Sequence, residues 1–518
     1  MHSEVENSTE SYADLTDRQV GVLLLSIMMV ALCGITYELI IGTVSTYLLG
    51  NSAYQFSLTI GFFMFAMGLG AYLSQLFVRD LLRTFVIIEV LISLIGGLCS
   101  ITLFLTYSAL NSLYTPVMYT FIIVIGTLVG LEIPLLTRIL SQKEAIRKSI
   151  AKVLSVDYLG ALIGSVAFPL LLLPSAGLVR SSFVIGLINI LTAWVNLIYF
   201  APRLGRLRLL SALALGILVL SVSLVLWGSK ISSFAEQHLY QDQVIYKKQT
   251  PFQYVVFTRN NQDGRYRMYI DGHIQFAERD EYRYHEALVH PVMSLPGPKK
   301  KILVLGGGDG LAVREILKYP EVQSVVVVDI DPEITRFSST FPALLALNQG
   351  SLRNPKVHVI NADAFNYIEK HKGDFDRVIM DLPDPHNEAL SKLYSREFYR
   401  LIKRRLAPQG VILTQGSSPF FTRRTFWSID KTLGSAGFKT LSYHITVPSF
   451  GIWGYHIASQ ESLAWDQFNF SVPMRFMSRE ILAAASVFPQ DISRVDNALI
   501  NSLMEPEIYM IYYRELNP

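Results

Sequence analysis

Cysteine is nearly missing: in 518 residues only Cys33 and Cys99 occur, both inside apolar runs. That excludes a disulfide framework and any metal cluster built on cysteine spacing, and no metal is expected. Charge is scarce too. Asp, Glu, Lys and Arg make up 17% of the chain and leave a net charge of +3. A protein that grips nucleic acid needs a basic stripe with interleaved aromatics, and since none occurs, no nucleic acid is expected as a partner. The half after Lys230 shows no internal repeat. What is plentiful is apolar surface: 51% of residues are hydrophobic and the mean hydropathy is +0.35. An ordinary soluble chain is less apolar, so part of this one is expected to lie in a lipid bilayer.

Residues 1–19 are polar and acidic, and are expected to form a mobile N-terminal tail. The acidic flank and the spanning length of the first apolar run argue against a cleavable signal peptide. Across 20–229, seven apolar runs near 20–41, 57–78, 84–106, 113–137, 153–174, 179–200 and 209–228 are each about the ~20 residues a membrane helix needs. Gly61, Gly68, Gly70 and Ala71, and then Gly160, Gly164 and Ala167, allow close helix packing. Glu38, Glu89, Glu132 and Asp157 fall within the runs. They suit either a cation pathway or polyamine cavity, or buried hydrogen bonds between helices, and name no transport activity. Arg79 and Arg83, then Arg138, Lys143, Arg147, Lys148 and Lys152, then Arg203, Arg206 and Arg208 mark the second, fourth and sixth connections, which the positive-inside rule places in the cytoplasm.

After Lys230 the composition becomes that of a soluble protein. Residues 230–295 are expected to form a linker and a small β domain. Strands at 252–257 and 266–270 flank the turn Asn260-Asn261-Gln262-Asp263-Gly264, and Asp271-Gly272 offers a second turn. Pro296-Gly297-Pro298 closes the helix that follows. In 296–518, strands at 301–305, 324–329, 356–360, 376–381 and 410–415 alternate with helices, which predicts a parallel sheet covered on both faces. Residues 440–459 read as a closing antiparallel pair, and the tail to Pro518 as mostly helical. The fold expected is a multi-pass α-helical membrane bundle joined to an α/β unit.

The chemistry gathers at strand ends. Lys301-Ile302-Leu303-Val304-Leu305 runs into Gly306-Gly307-Gly308-Asp309-Gly310 and then a helix, the form of a nucleotide-binding strand, turn and helix. Asp329 ends the next strand about 20 residues on, where an acid can hold two ribose hydroxyls. Asp309 is unusual there, because a fixed anion would repel the carboxylate of S-adenosylmethionine but welcome a bare primary amine. A third strand delivers Asp381, and Pro383 and Pro385 stiffen the loop that holds Asp384. Four acids converging on one sheet end would repel one another unless a polycation is bound.

With Asp271-Gly272-His273-Ile274-Gln275, Glu278 to Glu286, the glycine loop, Asp329-Ile330-Asp331, Asn361-Ala362-Asp363-Ala364 and Asp381-Leu382-Pro383-Asp384-Pro385 in this order, the span from Gln253 to Gly454 resembles the polyamine aminopropyltransferases, the spermidine synthases. The helical region resembles that family's membrane-embedded bacterial branch. The resemblance implies a Rossmann-like, class I methyltransferase-type sheet after the small β domain, and a homodimer. It implies aminopropyl transfer from decarboxylated S-adenosylmethionine, a co-substrate, to putrescine or a similar diamine, without cofactor. Gln253 and Asp329 would hold the nucleoside, Asp363 and Ala364 would flank the adenine, and Asp309 would take the aminopropyl amine. Tyr284, His285 and Asp384 would position the diamine, with Asp381 as general base. His285 also suits a helix-start histidine with no substrate role.

Two departures touch the acceptor. Phe450 stands where soluble members usually carry tyrosine, and Gly416-Ser417-Ser418 replaces an acid sometimes found after the fifth strand. Cadaverine, agmatine or a longer polyamine therefore stay open beside putrescine. Two other readings remain, a methyltransferase and a polyamine sensor or transporter with a binding-only soluble domain. The expected location is the inner cell membrane with the catalytic unit in the cytoplasm, where a nucleoside substrate is found. Loop charges and seven spans together point the other way.

Overall fold

The computed structural model describes residues 12–50, 52–204, 208–237 and 239–516. It forms two compact units, Met1–Gln241 and Asp242–Pro518.

In the first unit, among the described residues, six helices are long and apolar enough to cross a membrane: Asp17–Leu49, Ser52–Leu76, Leu81–Ala109, Tyr114–Ser141, Ile146–Tyr199 and Arg208–Ile231. Two of the seven expected runs thus share one helical stretch, Ile146–Tyr199. It is broken at Gly177, whose backbone leaves the helix (φ 70°, ψ 178°). Its arms run in opposite directions along the first helix. Gly160 and Gly164 abut Met28 and Leu32, while Ile185 and Asn196 meet Cys33 and Ser26. The last helix continues to Gln237, past its expected end at 228, since no glycine or proline follows Gly228 to stop it.

The tail expectation needs correction for residues 12–17, while 1–11 lie outside the described residues, as does Arg206. Tyr12 and Leu15 are buried, and Thr16 caps the first helix. Gln142 accepts from the Tyr12 amide at 2.7 Å, Asp14 pairs with Arg203 at 2.7 Å and Asp17 with Lys143 at 2.8 Å. An acidic segment meets basic connections, so it has both apolar and ionic reasons to pack. Of the four acids, Glu38, Glu89 and Glu132 are buried and Asp157 half-buried, and the carboxyls of Glu89 and Glu132 face one another.

The second unit opens with an antiparallel meander of β1 (Gln243–Gln249), β2 (Tyr254–Arg259), β3 (Tyr266–Ile270) and β4 (His273–Ala277). Asp271 and Gly272 both take positive φ (48° and 81°), as a two-residue hairpin turn of this twist requires. The meander packs on the helix Pro332–Thr340 through Tyr246, stacked 4.0 Å from Phe337.

The main sheet has the order β10-β11-β9-β8-β5-β6-β7, from β5 (Lys301–Gly306), β6 (Ser324–Asp329), β7 (Val357–Asn361), β8 (Phe375–Asp381), β9 (Leu406–Gln415), β10 (Lys439–Val447) and β11 (Gly451–Ser459). β5 to β9 are parallel, and β10 and β11 close the edge antiparallel. Along β5, Ile302 and Val304 enter one core while Leu303 and Leu305 enter the other, which is why these strands read as unbroken apolar runs. β5 lies between β6 and β8, so successive strands leave it in opposite directions and a crevice opens at the carboxyl ends. Gly306 is in register with Asp381 across it. The tail is not mostly helical: it holds the short helices Arg479–Ala485 and Ile508–Leu516 among irregular backbone, interrupted by Pro473, Pro489 and Pro506.

Candidate active site

At the carboxyl ends of β5, β6 and β8 lies a cavity of about 420 Å³. Gln253, Tyr284, His285, Asp309, Asp329, Asp363, Ala364, Asp381 and Asp384 all line it, so every residue expected at a site is brought together.

One end is built for a flat polar ligand. The Gly308 amide donates to Asp329 Oδ2 at 3.0 Å, and a Cβ at 308 would stand 2.5 Å from that oxygen, so only glycine lets the loop lie so close. The Asp331 amide donates to Asp329 Oδ1 at 2.9 Å. Burial pushes the Asp329 carboxyl up to about 6, against the pull of these two amides. Gln253 donates through Nε2 to Asp331 at 2.9 Å, and Asp331 caps the helix Pro332–Thr340. Asp363 caps the helix Ala364–Lys370 and meets Lys392 Nζ at 2.6 Å. Burial would raise its carboxyl, but the Lys392 ammonium and the Asn366 amide hold it below the usual range. Ala364 is the buried first residue of that helix.

The other end is acidic and aromatic. Tyr284 and His285 sit in the first turns of the helix Glu281–Ser294, where Tyr284 donates to Asp381 Oδ1 at 2.8 Å. His285 Nδ1 faces Glu281 Oε2 at 2.8 Å, and Arg314 grips Glu281 through two nitrogens at 2.9 Å each. Burial alone would discharge the imidazole. The Glu281 hydrogen bond and the charges of Glu281, Asp309 and Asp381 outweigh it and raise His285 to about 9. The hydrogen bond to Glu281 and the surrounding acids thus favour the imidazolium over the neutral ring.

One ligand atom each from His285, Asp309 and Asp381 lies within 4.8 Å of the others, the dimensions of a pocket for one small cation. Asp309 is pushed up to about 6 by burial and by Asp381, with His285 opposing. Asp381 is raised by burial, with His285 and the Tyr284 hydrogen bond opposing. Asp384 is pushed up to about 6 by burial, although Tyr512 and Gln415 donate to it at 2.8 and 3.2 Å. Phe450 and Trp453 form an apolar wall, with ring centroids 5.8 and 6.5 Å from that of Tyr284. A second cluster, Glu286, His290 and Glu315, is filled from within: Glu286 takes the amides of Arg475, Phe476 and Met477, and Glu315 takes Arg314, Lys318 and His290.

Gln415, Lys392, Trp453 and Tyr512 line the cavity and were not expected there, nor was the Arg314 brace behind His285. Gln415 carried a signal, because it ends β9 as Asp329 and Asp381 end β6 and β8. Tyr512 carried none.

Comparison with known proteins follows the same line. Residues 281–469 match the spermine/spermidine synthase domain. A spermidine synthase structure from Thermotoga maritima aligns with 48% of this chain and 84% of that one, at 26% identity and a TM-score of 0.43. A polyamine aminopropyltransferase of Oceanobacillus iheyensis is 37% identical, covering 96% of this chain and 98% of that protein. One from Leptospira interrogans is 41% identical over 495 residues, 96% of this chain and 98% of that protein, so the likeness runs through the helical unit as well. Identity at this level along nearly the whole of both chains makes the protein a member of the polyamine aminopropyltransferase family.

Proposed function

We propose that the chain transfers the aminopropyl group of decarboxylated S-adenosylmethionine to putrescine, giving spermidine and methylthioadenosine, with Asp381 as general base. The observation that carries this reading is the row of carboxylates Asp329, Asp309, Asp381 and Asp384 along one aromatic-walled cavity. Asp329 and Gln253 take the ribose side of the donor, and Asp363 and Ala364 border its adenine. Asp309 takes the aminopropyl ammonium, and Asp384 the far ammonium of the diamine, with methylenes against Tyr284, Phe450 and Trp453.

The near nitrogen of the diamine attacks the carbon beside the sulfonium. A carbon–nitrogen bond forms as the carbon–sulfur bond breaks, and the electron pair neutralises sulfur as a thioether. The nitrogen's proton passes to Asp381. Tyr284 fixes Oδ1 of Asp381 by its hydrogen bond, which leaves Oδ2 for that proton. His285, charged and beside Asp309 and Asp381, keeps two neighbouring carboxylates ionised before the amines arrive.

Purified protein incubated in detergent with decarboxylated S-adenosylmethionine and a panel of diamines should yield methylthioadenosine and one aminopropylated amine in equal amounts. Polyamine binding without either product would overturn the reading. The pH profile should show an acid limb near 6, because Asp309, Asp329 and Asp384 each stand at about 6 and must be anionic to hold their ligands. As pH falls below that value kcat/KM should fall more steeply than the about tenfold per unit of a single group, towards about a thousandfold per unit where all three must be ionised, and a flat profile between about pH 5 and about pH 7 would count against these roles.

The helical unit is proposed to span the inner cell membrane. Residues 12–17 hold the basic connections at one end of that bundle, which the charge rule turns to the cytoplasm. With the two arms at Gly177 the helices make seven passes, so the two placements cannot both hold, and the supply of donor nucleoside outweighs the charge rule: we place the catalytic unit in the cytoplasm. A reporter fused after Pro518 should score as cytoplasmic.

A further inference from the structure

The acceptor end contains a contact from a part of the chain with no motif of its own. Tyr512 stands on the C-terminal helix Ile508–Leu516, and its hydroxyl donates to Asp384 Oδ2 at 2.8 Å across 128 residues of sequence. Gln415 donates to Oδ1 at 3.2 Å. The helix is pinned in turn, since Glu515 takes the Arg424 amide at 2.6 Å and the Thr425 hydroxyl at 2.8 Å.

We propose that Tyr512 is a positioning and specificity-determining residue, which aims the Asp384 carboxylate at the remote ammonium and so lets the C-terminal helix select diamines over monoamines. This rests on the aminopropyl-transfer reading. The donors found on Asp384 are neutral: a phenol, a carboxamide and the Ser417 hydroxyl beside them. They fix the group in direction but leave its charge uncompensated. An arginine or lysine in their place would fix it as well and would cancel the attraction for a second cation. The phenol on Asp384 is supplied by the tail. Its partner is the acid for the far nitrogen, while Tyr284 serves the acid for the near one. Each aspartate of the loop 381–384 thus has its own tyrosine, from the opposite ends of the catalytic unit.

The test is Tyr512→Phe, which keeps the ring and removes one oxygen. Steady-state transfer to putrescine should show the acceptor KM up about tenfold, the effect of one hydrogen bond to a charged group, with kcat and the donor KM within about twofold. Calorimetry with putrescine on the methylthioadenosine-bound protein should show the same tenfold loss. The affinity for 1-aminobutane, which has no far ammonium, should not change. Equal losses for diamine and monoamine, or no loss for either, would overturn the proposal. A native chain that binds both but transfers nothing would instead overturn the reaction on which it rests.

Discussion

Asp381→Asn should lower kcat for aminopropyl transfer by about a thousandfold, within the span expected for loss of a positioned general base. The donor KM should change by less than about threefold. The substitution conserves shape, and the new amide oxygen can still accept the Tyr284 hydroxyl where Oδ1 accepts it at 2.8 Å. What is lost is a site for a proton. A diamine with pKa values near ~10 arrives as a dication, and the attacking nitrogen has no free pair until it is deprotonated. Asp381 is suited to that task because burial raises its proton affinity towards that of the amine, while His285 and Tyr284 keep it ionised beforehand. In the variant the nitrogen must shed its proton to water before it binds. The residual rate should then climb with pH towards the free amine's own pKa. Methylthioadenosine release, followed by chromatography across pH, measures both effects. A variant that keeps more than about a tenth of native kcat would remove Asp381 from the role of base.

Much of this site was legible because a parallel strand buried on both faces advertises itself twice. Its apolar run marks the strand, and the first polar residue after it marks the ligand end, as at Asp329 and Asp381. The helix break at Gly177 was legible too, since the expected boundaries at 174 and 179 bracket it. What escaped lacks any such local mark. β1 alternates exposed and half-buried residues and is polar, so it shows as a strand only when Tyr246 is seen stacked on Phe337. Tyr12 and Leu15 are two apolar residues in an acidic segment, and their burial follows from connections far along the chain. Arg314 looks like a cation on a helix after the glycine loop, and it becomes the brace of Glu281 and His285 only in three dimensions. Tyr512 is the extreme case, for its partner lies outside any pattern that periodicity or spacing can register.

Asp309→Asn should weaken binding of decarboxylated S-adenosylmethionine by about two hundredfold, roughly 3 kcal/mol, as when one partner of a buried charge pair is truncated. Intact S-adenosylmethionine should bind better than it does to the native chain. The two nucleosides differ by one carboxylate, and selection between them needs a feature that repels that group as well as one that attracts the amine. Asp309 does both. It sits in the glycine loop with its Oδ1 held by the Leu311 amide at 2.8 Å, and Asp381 shares the same small pocket. A donor carboxylate placed there would meet two acids and only the single positive charge of His285. In the variant one of those acids is gone, and His285, no longer facing Asp309, becomes the nearest charge to any anionic group on the ligand. The ratio of the two dissociation constants, measured by calorimetry on native and variant protein, should move towards the intact donor by more than either constant moves alone. If the ratio stays where it was, the loop acid does not read the donor, and discrimination must lie with Asp381 and His285.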